Sequence, residues 1–347
     1  MSATTANPIL VEVKRGTLVE SIHRGAIAIA DTDGNVPFAL GNIEVPVFPR
    51  SAVKLLQAIP LVESGAADAY GLDDGELAIA CGSHSGEAKH LAAVRSLLAK
   101  SGVEERCLAC GAHLPMSDRA ARELERAGRS PSPVHNNCSG KHAGMLATAK
   151  YLGLDLEGYE RLDHPVQKAI RRVISETCGV EIGAESIGID GCSVPTFAVP
   201  LRALARGMAR LGTGQDLPIS RAVAVRRLMD GSFANPELVA GEGRLDTIVM
   251  RAFGPKVFVK GGAEGVHCAV LPDLGLGIAV KIDDGAKRGA DAVLTEILAA
   301  LIPGADKILG ERFAGEISNW HGQRVGSIAA CAEFSGAIRG FAASAPR

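Results

Sequence analysis

Ser51 and Lys54 are separated by two residues in the segment Pro49-Arg50-Ser51-Ala52-Val53-Lys54. On a helix, positions i and i+3 share a face, so the lysine amine can reach the serine hydroxyl. A desolvated lysine has a depressed pKa and can take the proton that a serine must lose to become a nucleophile. The chemistry this predicts is acyl transfer through a covalent intermediate. Ser-x-x-Lys alone is common. Its setting gives it weight, because it opens a helical pattern directly after an extended segment and a Pro-Arg turn.

Two further segments follow in order. Cys81-Gly82-Ser83-His84-Ser85-Gly86 is a polar, glycine-rich turn ahead of a helical pattern, and Lys260-Gly261-Gly262 closes the strand-like run Val257-Phe258-Val259. Ser83 alone reads as a turn residue and Lys260 alone as a solvated strand end. A Ser-x-x-Lys, a serine loop and a strand-end lysine together make the frame used by penicillin-recognising hydrolases. The match is loose, since there is no Ser-Asp-Asn and Gly261 stands where that frame carries a hydroxyl residue.

A second constellation is Asn136-Asn137-Cys138-Ser139-Gly140-Lys141-His142. It contains Gly-Lys but is no phosphate-binding loop, because position 135 is histidine rather than the first glycine of that motif. Cys138, Lys141 and His142 fall at i, i+3 and i+4, so they can share a helix face. With Cys192 of Asp190-Gly191-Cys192 they offer two sulfurs and a nitrogen donor for Zn²⁺, or else two buried small hydrophobes. A lysine ligand must be neutral, which metal binding can enforce. Cys107-x-x-Cys110 has no second Cys-x-x-Cys and reads as a pair of free thiols. A nucleobase-deaminase reading fails: two residues separate His84 from Glu87, and Arg106 rather than proline precedes Cys107.

The elements that must hold these residues follow from periodicity. Strands are expected at 9–13, 21–30, 36–40 and 43–48, with Asp33-Gly34 as a hairpin turn. A helix is expected over 53–61 despite Pro60, then helices at 88–100, 117–127, 144–152, 165–177, 196–210 and 220–230. From Thr247 the pattern returns to strands at 256–260, 265–270 and 277–282, then a helix at 286–301 and a strand at 324–330. Strands at both ends most economically share one antiparallel sheet. The expectation is one α+β layered domain over 1–347, its sheet drawn from about 9–50 and 247–347, with a mostly helical excursion at about 51–246.

Composition narrows the function. Lys plus Arg is 37 against 39 Asp plus Glu, a net charge of −2, and aromatics are 4%. That disfavours nucleic acid and membrane surfaces as partners. No apolar run approaches the roughly 18 residues of a membrane span. Met1–Pro8 has no basic region followed by an apolar one, so a cytoplasmic protein with reduced thiols is expected. Eight cysteines in 347 residues are too few for a disulfide scaffold.

Segments 49–54, 83–87, 137–142, 190–192 and 260–265 together resemble the rhizobial-type L-asparaginase family, and Cys138-Ser139-Gly140-Lys141-His142 is the most specific of them. The resemblance implies a fold similar to serine β-lactamases, a homodimer, and hydrolysis of L-asparagine to L-aspartate and ammonia. It implies Ser51 as nucleophile with Lys54 as its partner, and Ser83 with Lys260 as a second pair. It implies Cys138, Lys141 and Cys192 as ligands of one Zn²⁺, with water completing the site. Arg50, His142 and Asp190 would lie beside the metal and the substrate. The rival readings are a penicillin-recognising hydrolase or D-amino-acid peptidase, and a non-catalytic, zinc-stabilised amino-acid sensor.

Overall fold

The computed structural model of the chain describes residues 6–313 and 315–344. Its first strands are β1 Ile9–Arg15, β2 Leu18–Ala30, β3 Phe38–Leu40 and β4 Pro46–Val47. Short strands β5 Ile187–Ile189, β6 Pro195–Phe197 and β7 Val199–Pro200 follow in the middle of the chain. The last are β8 Phe258–Gly261, β9 Val266–Leu271, β10 Leu276–Ile282, β11 Glu316–Ser318 and β12 Arg324–Ala330.

The main sheet runs β11-β12-β1-β2-β10-β9-β8, with β3 beside β2, and its pairings are antiparallel. Strands from the two chain ends therefore share one sheet, as their order along the sequence predicts. β2 holds the halves together. Its first part pairs with β1, and its Gly25–Ala30 end pairs with β10. From Ala26 to Ala30 that strand is a continuous buried apolar run, as a strand covered on both faces should be. The Leu201–Thr213 helix packs on β2, β9 and β10, and the Lys287–Leu301 helix packs on β1, β9, β10 and β12.

The Lys54–Glu63 helix is the centre of the helical region. It is buried without interruption from Lys54 to Leu61 and is surrounded by the Ser139–Tyr151, Pro165–Cys178 and Ile219–Ala234 helices. A helix apolar on nearly every side is a core helix. The Asp74–Ala80 helix is started by a capping box, in which Asp73 and Glu76 satisfy each other's backbone amides. It ends directly before Gly82 and Ser83.

Several segments differ from expectation, the unforeseen helices Asp74–Ala80 and Ala305–Phe313 among them. The stretch read as one helix from 196 forms β6 and β7 first, and its helix begins only at Leu201, after Pro200. The stretch read as extended from Thr247 contains a helix, Leu245–Phe253. The β-branched Thr247-Ile248-Val249 suggests a strand, but Leu245 and Val249 bury one face at i, i+4 spacing. A helix over Ala332–Ser344 follows β12 and buries Phe334 and Ile338. Among the described residues no helix is long and apolar enough to cross a membrane.

Gly140 fixes how closely two site-bearing helices approach. A Cβ there would stand 2.2 Å from the Ile79 carbonyl oxygen, at the end of the Asp74–Ala80 helix. Gly→Ala inside a helix ordinarily stabilises by about 1 kcal/mol. Gly140→Ala should do the opposite, destabilising by about 1–3 kcal/mol through overpacking. A lower urea midpoint at unchanged m-value is the expected result; an unchanged or raised midpoint contradicts the close approach.

Candidate active site

Ser51 lies in the 3₁₀ turn Arg50–Val53, between β4 and the Lys54–Glu63 helix, so the Ser-x-x-Lys spacing spans a 3₁₀-to-α junction. Gly262 lets the strand-end loop close over that turn, since a Cβ there would meet the Pro49 carbonyl oxygen at 2.6 Å. Ser83 is held in the loop after Gly82, where its N–H donates to the Val239 carbonyl at 2.7 Å and its carbonyl accepts from Arg244 Nη1 at 2.7 Å. Lys260 sits on β8, opposite Cys268 of β9. Ser51 and Ser83 line one cavity of about 200 Å³, together with Asn137, Arg244, His267 and the 261–266 loop.

Both lysines are fully buried, and their partners differ. The Lys260 amine donates to Ser83 Oγ at 3.1 Å and to the Gly261 carbonyl at 2.8 Å. Burial pushes its pKa down to about 7, with Asp246 opposing that fall. Lys54 donates to the carbonyls of Gly82 and of Asn137 rather than to the Ser51 hydroxyl. A buried amine needs acceptors, and these two backbone oxygens supply them. Burial lowers the Lys54 pKa also, while Cys138 opposes the fall.

The second cluster adjoins Lys54. Cys138 occupies the position just before the Ser139–Tyr151 helix, Lys141 lies in its first turn, and Cys192 lies in the loop between β5 and β6. All three are buried. Lys141 Nζ is 3.0 Å from Cys192 Sγ. A hydrogen bond from Cys192, together with the Lys54 and Lys141 cations, holds the Cys138 thiol well below its ordinary range against the effect of burial. Burial would lower the Lys141 pKa, but Cys138 and Cys192 keep the amine cationic. Two sulfur donors, one already favoured as thiolate, and an adjacent nitrogen are a chemically suitable set for Zn²⁺, provided the amine gives up its proton. No cluster of three His, Cys, Asp or Glu side chains offers an alternative metal site among the described residues.

Arg50 donates through Nε at 3.0 Å and Nη2 at 2.8 Å to Asp190 Oδ1, tying the serine turn to the Cys192 loop. Burial would raise the Asp190 pKa, but Arg50 and Lys141 hold it below the ordinary carboxylate value. His142 is fully buried, with Nδ1 2.6 Å from the Tyr159 hydroxyl and Nε2 without a partner among the described residues. Burial and the Lys141 and Lys54 cations keep it neutral.

Asp246, His267 and Arg244 were not foreseen. Asp246 Oδ1 accepts from the Gly261 amide at 2.7 Å and from His267 Nε2 at 3.0 Å, directly behind Lys260. The register of β8 on β9, Gly261 against His267, creates this contact, and no spacing along the chain announces it. Backbone strain also gathers here. Arg50, Ser193 and Glu264 have positive φ, at 51°, 78° and 57°, and flank the serine turn, the Cys192 loop and the strand-end loop.

The fold and the site define an α/β protein that buries two lysine amines between an antiparallel sheet and a helical core, with two serines facing one small cavity. The chain belongs to the L-asparaginase II family, whose model matches residues 11–330, and it is thereby an amidohydrolase. This bears out the resemblance read from its motifs. No curated protein matches the sequence. Among solved structures, a simvastatin synthase variant from Aspergillus terreus aligns at 14% identity and TM-score 0.40, over 75% of this chain and 86% of that one. A class C β-lactamase from Rhodobacter sphaeroides aligns at 15% identity and TM-score 0.37, over 79% and 95%. Mglu in its native form aligns at 16% identity and TM-score 0.35, over 80% of this chain and 65% of Mglu.

The strain at Ser193 is testable apart from activity. Its side chain is exposed, and a non-glycine residue in the left-handed region costs roughly 1–2 kcal/mol. Ser193→Gly should therefore hold or raise stability, by up to about 1 kcal/mol after the added chain entropy of glycine, read as an unchanged or higher urea midpoint. A clear loss of stability contradicts the strain.

Proposed function

We propose that this chain hydrolyses L-asparagine to L-aspartate and ammonia through an acyl-enzyme on Ser51. The observation that carries the reading is the convergence of Ser51 and Ser83, with Lys260 on Ser83, at one small cavity in a member of the L-asparaginase II family. Ser51 Oγ bonds to the side-chain amide carbon of asparagine, and its proton passes to a neutral lysine amine. Lys54 is the neighbour three residues on, and burial favours its neutral form. The tetrahedral intermediate collapses as the C–N bond breaks and the nitrogen takes up the proton that the lysine amine received, releasing ammonia and leaving the amine neutral. Water then adds to the ester, delivering its proton to the Ser83–Lys260 pair, and aspartate leaves as Ser51 recovers its hydrogen. The Lys54 charge is one of those that lower the Lys260 pKa.

Cys138, Lys141 and Cys192 would hold Zn²⁺. When bound, the ion would supply a fixed positive charge and Lewis acidity near the Arg50–Asp190 pair. His142, neutral and with Nε2 unpartnered, is the remaining polar group of that cluster to contact substrate or water.

Ser51→Ala should abolish asparagine-dependent ammonia release while the thermal midpoint stays within a few degrees of wild type. Near-wild-type turnover would remove Ser51 as nucleophile. Ammonia release by the wild type excludes the sensor, and hydrolysis of nitrocefin without it would favour the penicillin-type rival.

With the Lys260 amine titrating at about 7, the fraction in the neutral, proton-accepting form rises with pH through that value. The kcat/KM for asparagine should accordingly climb through about pH 7 to a plateau. A profile flat from pH 5 to about 8 contradicts a neutral Lys260 base.

Zinc binding must release protons from a thiol and an amine. Equilibrium dialysis should find about one Zn²⁺ per chain near pH 8 and progressively less as pH falls. Cys138→Ser and Lys141→Met should each weaken binding by tenfold or more. Equal uptake by both variants would place the metal elsewhere.

A further inference from the structure

We propose that Asp246 is a positioning residue for Lys260: its buried carboxylate, clamped by His267 and the Gly261 amide, sets the lysine against Ser83 and supplies the negative charge that balances its proton. The inference rests on the reading of Lys260 as a base at Ser83.

The geometry comes first. Asp246 is almost wholly buried at the start of the Leu245–Phe253 helix. Its Oδ1 accepts two hydrogen bonds, from the Gly261 N–H at 2.7 Å and from His267 Nε2 at 3.0 Å. The Gly261 amide belongs to the peptide that follows Lys260, and the Gly261 carbonyl accepts from the Lys260 amine at 2.8 Å. One carboxylate thus fixes the residue from which the lysine side chain folds back onto Ser83 Oγ. His267 is held from its other side by Asp291, whose Oδ1 lies 3.5 Å from Nδ1, and Asp291 pairs in turn with Lys287. His267 and Asp291 line the same cavity as Ser51 and Ser83.

The charges follow from that geometry. Burial would raise the Asp246 pKa, yet His267, Lys260 and Arg244 hold it far below the ordinary carboxylate range. Burial would lower the His267 pKa, yet Asp246 and Asp291 hold it above the ordinary value. The groups that face Lys260 are Asp246 and Arg244 from the Leu245–Phe253 helix and its lead-in, and His267 and Cys268 from β9. Lys54 faces it from the serine turn's helix, Cys138 from the Ser139–Tyr151 helix and Cys81 from the end of the Asp74–Ala80 helix. Asp246 leads the charges that favour the protonated amine, while Lys54 and Arg244 oppose it. Neutralising Asp246 therefore makes Lys260 lose its proton at lower pH. Neutralising His267 leaves the carboxylate's charge less opposed and makes Lys260 lose its proton at higher pH.

The test is the pH profile of kcat/KM for asparagine in wild type, Asp246→Asn, His267→Gln and Lys260→Met. Asparagine keeps an acceptor for the Gly261 amide, and glutamine keeps a donor for Asp246. The acid limb should move down by about one unit in Asp246→Asn and up in His267→Gln, and it should vanish with a hundredfold or greater loss of kcat in Lys260→Met. Opposite displacements are what a merely structural role cannot produce. A limb that stays in place in both the Asp246 and His267 variants, but vanishes without Lys260, overturns the role of Asp246 and leaves the lysine base standing. A limb that persists in Lys260→Met overturns both. Circular dichroism reports whether each variant folds, and if Asp246→Asn does not, the direction of the His267→Gln shift decides.

Discussion

Lysine amines without solvent, Lys54 and Lys260 beside the serines and Lys141 beside the thiols, are the constraint around which this molecule is arranged. Lys54 and Lys260 are fully buried. An isolated buried ammonium would cost several kcal/mol, so each must either lose its proton or find acceptors and a counter-charge. The structure gives Lys54 two backbone carbonyls and a neighbouring thiol pair. It gives Lys260 a serine hydroxyl, a carbonyl and a carboxylate one step away. Neither arrangement fully neutralises the burial, and both pKa values stay low. An amine that is easily deprotonated is the form a serine nucleophile needs.

The backbone carries much of the cost of that arrangement. The acceptors of Lys54 lie on two loops, one after Gly82 and one before Cys138, and the His84 amide ties them by donating to the Asn137 carbonyl at 3.1 Å. Gly140 brings the Cys138 helix against the end of the helix that leads to Gly82, and Gly262 brings the strand-end loop against the serine turn. Ser193, Glu264 and Arg50 adopt conformations that disfavour a side chain. Strain of this kind persists only where the surroundings over-determine it. Here the surroundings are a central buried helix and a sheet whose long strand β2 joins both halves.

What was legible in the sequence was whatever is local. Ser51 and Lys54, or Cys138 and Lys141, lie within one turn of each other, so spacing alone brings them near. The antiparallel sheet was legible because strand patterns recur at both ends of the chain, as at Ala26–Ala30 and Gly277–Ile282. The hydrogen bonds of Lys54 were not legible, because its acceptors are main-chain oxygens at positions 82 and 137. Asp246 was less legible still: it is one acid in a β-branched stretch, and it matters only because β8 and β9 pair with Gly261 opposite His267. The helices at Leu245–Phe253 and Ala332–Ser344 were hidden for a related reason. Their buried positions make sense only against partners that lie far away in the sequence.

The two lysines are therefore not duplicates. Lys54 shares its surroundings with Cys138 and Lys141, so its proton responds to whatever occupies the thiol cluster. The charge that most favours protonated Lys260 is Asp246, a carboxylate held by His267 and the Gly261 amide, with Cys138 adding to it. A double displacement needs a base twice, once for the serine and once for the water, and the second need arises after ammonia has left. Two amines governed by different counter-charges can be in different protonation states at those two moments. In the proposed mechanism the first proton departs with ammonia, so the first amine is neutral again when water attacks, and the second amine adds a base beside the water's path rather than replacing a spent one. On the proposed mechanism, the second serine–lysine pair offers a base whose protonation Asp246 favours, while Lys54 opposes it and Cys138 acts on both amines.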